Sequence, residues 1–142
     1  MTSTRSAAIP QKSSLWSMNP ATQAFLLLRT VFTVAPILFG LDKFFNILTD
    51  WPPYLAPLAT DIVPLSSEQF MYIVGVIEIV AGLTVAFAPK YGSLLVAVWL
   101  LGIIINFLIL PGYFDIALRD FGLFVAAIAL NRLAVSSAAQ LK

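Results

Sequence analysis

The sequence predicts an all-α fold, in which four transmembrane helices form a bundle and a proline-rich extracytoplasmic loop joins helices 1 and 2. Of the 142 residues, 60% are hydrophobic and 11% are charged, and the mean hydropathy is +0.93. A soluble domain usually carries about 25% charged residues. The length fits four spans of roughly 20 residues each and one long loop. We therefore expect a transmembrane domain at residues 21–134, with polar cytoplasmic tails at 1–20 and 135–142.

Four apolar runs define the predicted spans. The first contains Arg29 about a third of the way along and Pro36 near its middle, where a kink is expected because proline removes a backbone hydrogen bond. This run is too long for the apolar part of a signal peptide, which is the alternative interpretation. Ser66 and Gln69 form a capping-box pattern before the second run. The predicted spans are residues 21–45, 67–88, 92–110 and 115–133, and the third has no charged residue.

The connections between the runs have their own sequence signals. Residues 46–65 contain four prolines, which exclude a continuous helix. The apolar side chains of this segment indicate that it lies on the membrane surface or caps the bundle, with a short helical turn. We interpret Trp51 and Tyr54 as anchors at the membrane interface. The other predicted features are a tight turn at 89–92, a break at 111–112 and a helix cap at Asp115.

Charged residues are segregated between the two ends of the predicted bundle. One side carries only basic residues, namely Arg5, Lys12, Lys90, Arg132 and Lys142. The other side carries Asp50, Asp61, Glu68 and Asp115. Because basic loops are retained in the cytoplasm, the pattern predicts cytoplasmic N and C termini and an outward-facing proline-rich loop.

The composition argues against several kinds of chemistry. The chain has no cysteine and no histidine, which nearly excludes thiol redox chemistry, zinc sites, iron–sulfur clusters and histidine-ligated haem for the chain alone. We expect no metal site and no cofactor bound by this chain alone, so that an electron carrier would come from a partner or a diffusible molecule. The net charge of +1 gives no reason to expect nucleic acid.

Ionisable side chains inside the spans are the candidate functional residues. Each costs about 2.5–3.5 kcal/mol to insert and needs a partner, water or a function. Arg29 and Glu78 are expected at similar depth, roughly 12 and 15 Å from the cytoplasmic ends of their helices. Gly75 and Gly82 flank Glu78 on one helix face and would admit a neighbouring helix closely. The leading structural prediction is an Arg29–Glu78 ion pair.

A second polar layer is predicted nearer the outer surface. On the first helix Lys43 shares a face with Arg29, whereas Asp42 points away from it. The alternative interpretation is structural, because paired charges can lock helices together and both Lys43 and Arg119 can reach the interface. The two layers together predict a polar seam through the bundle, made of Arg29, Lys43, Glu78, Asn106, Arg119 and Asp120.

Several of these residues lie in motifs that resemble those of DoxX-like membrane proteins. Arg29 with Gly40-x-x-Lys43 resembles the Arg…Gly-x-x-Lys signature of their first helix. Gly75-x-x-Glu78 with Gly82 is similar to their second helix, and Arg119-Asp120 to the pair that starts their last helix. The resemblance covers about residues 24–133. It implies a four-helix protein of a prokaryotic-type plasma (inner) membrane.

The functions implied by the resemblance involve quinones. Some members of this group are linked to quinone-dependent sulfur oxidation, as in thiosulfate:quinone oxidoreductase, and others to membrane-associated redox assemblies. The resemblance therefore implies a membrane subunit or accessory factor of a quinone-linked redox or respiratory complex. Glu78 and Asp120 would then accept protons or bind a quinone by hydrogen bonds.

The expected partners are the lipid bilayer and other membrane or redox subunits. The chain would at most be part of a quinone-linked oxidoreductase, since no self-contained catalytic site is visible in the sequence. Two alternatives stay open. One is a small-molecule or proton pathway along the seam, which needs a hydrated cavity, and the other is a purely structural protein of a larger assembly.

Overall fold

The computed structural model describes residues 17–140, and within that range the chain is helical and contains no strand. The all-α prediction is confirmed for this part of the chain. The helices are α1 (Pro20–Asp42), α2 (Pro57–Ile62), α3 (Ser67–Phe87), α4 (Pro89–Ile109) and α5 (Phe114–Gln140), with a 3-10 helix at Pro52–Tyr54 between α1 and α2. Residues 1–16 and 141–142 of the predicted tails lie outside the described range.

Capping side chains set where two of the long helices begin. Asn19 accepts a hydrogen bond from the backbone N–H of Ala21 at the start of α1. Ser66 and Gln69 form both hydrogen bonds of a capping box at the start of α3, which confirms that prediction. These bonds satisfy backbone donors that have no partner within the helix.

A single residue, Ala88, joins α3 to α4. The prediction of a tight turn at 89–92 is wrong, because these residues form the first turn of α4. Proline suits the first helical position, where its missing N–H needs no partner. A Cβ on Gly92 would lie 2.4 Å from the backbone nitrogen of Val85, so the sharp reversal requires glycine.

The bounds of α5 differ from the prediction at both ends. The helix begins at Phe114, so Asp115 lies within the first turn rather than at the cap, where its charge still favours the helix dipole. At the other end α5 continues past the predicted end at Leu133 to Gln140. The predicted C-terminal tail is therefore helical over residues 135–140.

The four long helices of the described range pack side by side in a ring. The most extensive contacts join α4 with α5 and α1 with α3, and contacts of α3 with α4 and of α1 with α5 close the ring. Small and aliphatic side chains dominate the interior, because they let the helices approach closely. The buried core consists of Phe32, Ala81, Val85, Val96, Ala97, Leu100, Ala127 and Leu130.

Glycines bring the backbones of α1 and α3 into direct contact. A Cβ on Gly40 would lie 2.5 Å from the carbonyl oxygen of Gly75, and a Cβ on Gly82 would lie 2.7 Å from the carbonyl oxygen of Thr33. The prediction that Gly75 and Gly82 admit a neighbouring helix is therefore confirmed. Because α1 and α3 are antiparallel, these contacts place Glu78 roughly level with residue 37 of α1.

Within residues 17–140, three helices, α1, α3 and α4, are long and apolar enough to cross a membrane. Their outward faces carry large exposed apolar side chains, such as Leu27, Phe87 and Val98, while Glu78 and Ser93 are buried. Apolar patches of this extent are rare on soluble monomers. The chain is thus built as a multi-pass membrane protein.

The segment between α1 and α3 covers one end of the bundle, which we call the loop end. Instead of one continuous helix it contains the 3-10 helix and α2, as its prolines require. The ring of Tyr54 packs against those of Phe107 and Tyr113, with centroid distances of 6.2 and 5.0 Å. The segment therefore caps the bundle rather than standing away from it.

Candidate functional site: a buried polar centre

Lys43 and Glu78 form a buried ion pair near the loop end. Lys43 Nζ lies 2.7 Å from Glu78 Oε2, and the two side chains are only 5% and 10% exposed. Lys43 follows directly after α1, and its side chain extends back into the bundle toward the middle of α3. The Lys43 side chain can reach Glu78 because α1 and α3 are in close contact here: a Cβ on Gly75 would lie only 3.2 Å from Lys43 Cβ.

The prediction of an Arg29–Glu78 ion pair is wrong. The guanidinium of Arg29 instead donates a hydrogen bond to the backbone carbonyl of Ala86, in the last turn of α3. Ala86 lies about two turns along α3 from Glu78, which corresponds to roughly 12 Å. The predicted depths assumed that α1 begins at the level where α3 ends. In the structure Arg29 is already level with Ala86, so the first residues of α1 extend beyond the end of α3.

The predicted polar seam is interrupted. The level between Glu78 and Arg29 is filled by the apolar core, including Phe32, Ala81 and Val85. Arg29 therefore stands apart from the other candidates, at the end of the bundle opposite the loop. This separation leaves the pathway hypothesis without a continuous line of polar side chains among the described residues.

Trp51 covers the ammonium group of Lys43. The Nζ atom lies 3.9 Å from the centroid of the Trp51 ring, which is a cation–π geometry. The indole N–H of Trp51 donates to Asp42 Oδ2 at 2.8 Å. Because bonding to a carboxylate polarises the indole, this bond strengthens the attraction of the ring for Lys43. The side chain predicted as an interfacial anchor is thus part of the site.

Asp42 fastens the start of the loop. Its carboxylate accepts backbone hydrogen bonds from Ile47 at 2.9 Å and from Leu48 at 3.1 Å, in addition to the bond from Trp51. The side chain of Asp42 is buried. Asp42 thereby holds Trp51 in place over Lys43.

Two further helices contribute side chains around Glu78. From α5, Asp120 interacts electrostatically with Glu78 and accepts a hydrogen bond from Arg119 Nε at 3.2 Å. Arg119 is largely exposed, whereas Asp120 is buried. From α4, the buried indole N–H of Trp99 interacts with the Glu78 carboxylate without reaching the geometry of a full hydrogen bond. We call Lys43, Glu78, Trp99 and Asp120 the polar centre.

Asn106 does not belong to the polar centre, although it was predicted in the same layer. Its Oδ1 accepts a hydrogen bond from the backbone N–H of Ala56 at 2.8 Å, and its Nδ2 donates to the carbonyl of Tyr54 at 2.7 Å. A single side chain on α4 thus satisfies two backbone groups of the loop. The role of Asn106 is to attach the loop to the bundle.

Asp42, Trp51 and Trp99 belong to the site but were not predicted from the sequence as parts of it. A signal was available for Asp42, because a carboxylate at the end of a helix, just before an irregular segment, is well placed to accept free backbone N–H groups. Trp51 and Trp99 carry no comparable signal. An aromatic residue near a membrane interface or on an apolar helix is typical of any membrane protein.

Comparison of the chain with protein-family models, with curated proteins and with solved structures finds no match. Function is therefore inferred from the fold and the side chains. These define a multi-pass helical membrane protein with a buried Lys43–Glu78 ion pair and a further buried carboxylate, Asp120, that interacts electrostatically with it.

Proposed function

We propose that this chain is a DoxX-like membrane subunit or accessory factor of a quinone-linked redox complex, and that the polar centre binds a quinone head group. One observation carries the proposal. Lys43, Glu78 and Asp120 come from the three separate motifs that resemble DoxX-like proteins; Lys43 and Glu78 form a buried ion pair, and the buried Asp120 interacts electrostatically with Glu78. Ionisable groups inside a membrane are costly, and they usually mark a pathway or a binding site.

The free polar atoms of the centre suit both forms of a quinone. A quinone carbonyl accepts hydrogen bonds, and a quinol hydroxyl also donates one. The centre offers the Trp99 N–H as a buried donor without a full hydrogen bond, and only one oxygen of Glu78 accepts a hydrogen bond from the described residues. A buried donor without a partner calls for an explanation, and a bound acceptor would provide one.

In this proposal the quinone supplies the electron-transfer chemistry, and the chain supplies binding and proton handling. Lys43 holds one oxygen of Glu78 and balances its charge, while the other oxygen is free to receive a proton. Asp120 is a second negative charge that acts on this carboxylate, and it is held by Arg119, whose side chain is largely exposed. A proton released at the centre would be accepted by Glu78, while the permanently charged Arg119 would hold Asp120 in place rather than carry the proton onward.

The proposal includes α5 as a fourth span and places both termini in the cytoplasm of a prokaryotic-type plasma (inner) membrane. α5 has 27 residues, packs extensively on α4 and buries Ala127 and Leu130 completely. A helix embedded in this way among spanning helices shares their environment. The segregation of basic and acidic residues supports the orientation.

Tryptophan fluorescence tests quinone binding directly, because Trp99 lies in the proposed site. Trp16 is first replaced by phenylalanine, whereas Trp51 is kept because it covers Lys43, so that Trp51 and Trp99 are the two reporters and both lie at the site. A short-chain ubiquinone analogue should quench this fluorescence saturably in detergent. Glu78→Gln should raise the Kd about tenfold, the loss expected for one hydrogen bond to a charged group.

The matched control is Asp61→Asn, which changes an exposed carboxylate of α2 in the same way. This variant should bind the quinone analogue as the parent does. Quenching that rises linearly with quinone and is equal in both variants would mean that the quinone only partitions into detergent. That result would remove the support for a quinone site.

A structural role in a larger assembly is the second candidate, favoured by the ion pair that joins α1 to α3. Purification in mild detergent distinguishes the two. A large complex that persists in Glu78→Gln, together with unchanged activity of its partners, would favour the structural role. Loss of activity within an intact complex would favour the quinone site.

A further inference from the structure

Arg29 is a cation with no acidic partner. One of its N–H groups donates to the Ala86 carbonyl, while its other nitrogens make no hydrogen bond to the described residues and are not buried. All seven acidic side chains of the sequence lie within the described range, and none forms an ion pair with Arg29. A guanidinium in this position keeps donors available for an anion.

The free donors of Arg29 face an open groove beside α1 and the last turn of α3. The groove has a volume of about 340 Å³. Its walls are apolar on both sides of the guanidinium, and its polar side chains come from α1. It is lined by Leu26, Arg29, Thr30, Thr33, Val34 and Ala86.

The groove lies at the basic end of the bundle. Arg29 is level with Ala86, one turn before Lys90, which is exposed at the start of α4. Asn131 donates a hydrogen bond to the Lys90 carbonyl, so the exposed Arg132 lies at this end too. No acidic side chain of the chain accompanies these three basic residues. The local field therefore favours an anion.

The depth of the groove matches the boundary of the hydrocarbon layer. α3 has 21 residues, or roughly 31 Å of helix, and a hydrocarbon core is about 30 Å thick. The last turn of α3, and Arg29 with it, therefore lies where lipid head groups begin. The phosphate group of a lipid lies at this depth, within reach of Arg29.

We infer that this groove binds an anionic phospholipid, with its phosphate at Arg29 and an acyl chain against Val34, on the side of Arg29 that faces the middle of the bundle. The planar guanidinium can form two parallel hydrogen bonds to phosphate oxygens. Basic pockets between membrane helices bind anionic head groups on the same principle. The inference is independent of the quinone proposal, because the apolar core separates the two sites.

Native mass spectrometry of the full chain in detergent tests the inference, with phosphatidylglycerol, phosphatidylcholine and inorganic phosphate as probes. One phosphatidylglycerol should be retained, with phosphatidylcholine at least about tenfold weaker and inorganic phosphate not retained. Arg29→Gln should weaken phosphatidylglycerol binding about tenfold or more, as expected for a charge-assisted bond. Arg132→Gln, which removes an exposed charge at the same end, should change it less than about twofold.

Arg29→Lys provides a second variant in case Arg29→Gln does not fold. It keeps the charge but loses the planar fork, so phosphatidylglycerol affinity should fall measurably below that of the parent. Equal retention of phosphatidylglycerol and phosphatidylcholine would overturn the inference, and so would unchanged binding in both Arg29 variants. Tight retention of inorganic phosphate would assign the site to a free anion and also overturn it.

Discussion

Lys43 and Glu78 are 35 positions apart in the sequence, yet Lys43 Nζ and Glu78 Oε2 are 2.7 Å apart in the fold. The ammonium is enclosed between this carboxylate and the ring face of Trp51. Both charges are removed from solvent, so each depends on the other for compensation. This dependence makes the pair the most informative target for mutation.

We predict that single changes at Lys43 or Glu78 destabilise the protein more than the two changes together. Removing one partner of a buried pair typically costs about 3–5 kcal/mol, whereas replacing both by apolar groups can be nearly neutral. Lys43→Met and Glu78→Leu should each lower the thermal midpoint of the detergent-solubilised protein, and the double variant should recover much of the loss. Strictly additive losses would show that the pair is not coupled.

The same double-mutant cycle at Arg29 and Glu78 is the control. These residues do not touch, because Arg29 bonds to Ala86 two turns away. Losses at Arg29 and Glu78 should therefore add, within about 0.5 kcal/mol. A double variant of this second pair that regained stability would contradict the observed register of α1 and α3.

A second prediction concerns the contact between Gly40 and Gly75. Gly40→Ala places a Cβ about 2.5 Å from a backbone oxygen, so the helices must separate, and we expect a loss of roughly 1–3 kcal/mol in thermal unfolding. Gly102→Ala and Gly122→Ala are matched controls, since a Cβ at either meets no heavy atom within 4 Å. These controls should be neutral or slightly stabilising. Equal effects at all three positions would contradict the close contact.

A third prediction concerns the carboxylate that holds the loop. Asp42→Asn replaces the oxygen that accepts from Trp51 by a donor, which leaves the indole N–H without an acceptor at a cost of about 1–3 kcal/mol. Ile47 and Leu48 keep the other oxygen as acceptor, but their bonds weaken because the acceptor loses its charge. Hydrogen exchange of the Ile47 and Leu48 amides should accelerate about tenfold or more. Asp50→Asn, an exposed carboxylate in the same segment, should leave it unchanged. Unaltered exchange in Asp42→Asn would mean that the loop is held by other contacts.

Local and periodic signals in the sequence predicted much of this fold. The Ser66–Gln69 capping box and the small face around Glu78 depend only on neighbours in the sequence, and both predictions are confirmed. The partner of Glu78 depends on how far α1 slides along α3, which no local pattern specifies. Depth counted from the helix ends therefore predicted Arg29 as the partner of Glu78. The register is instead set by the contact between Gly40 and Gly75, which brings Lys43 to the carboxylate.

The structure of the loop, too, could be predicted only in part from the sequence. Its prolines predicted that the segment is not one helix, but not that Asn106 bonds to the backbone at Tyr54 and Ala56. These contacts join residues about 50 positions apart, and an asparagine in an apolar helix has many other uses. Long-range polar contacts of this kind follow from the packing of the whole bundle rather than from any motif.

A fourth prediction concerns orientation in the membrane. The chain has no native cysteine, so single cysteines can be labelled without a background. Ala59→Cys in the loop should react with a membrane-impermeant maleimide added to intact cells, and Ser137→Cys should react only after the cells are opened. The physical reason is the basic bias of the end opposite the loop. Labelling of Ser137→Cys in intact cells would reverse the orientation.

The staggered ends of the helices affect the surrounding bilayer. Bonds from Arg29 to Ala86 and from Asn131 to Lys90 leave residues 20–28 and 132–140 beyond the turn at Ala88, roughly 13 Å of helix each. For α1 this overhang comes from its register, since α1 has 23 residues and α3 has 21. At this end the protein therefore presents a recessed side, α3 and α4, and a projecting side, α1 and α5. Lipids next to the two sides must differ in local thickness. Thickening the bilayer at this end should accordingly strain the recessed pair first, while the projecting pair tolerates the change.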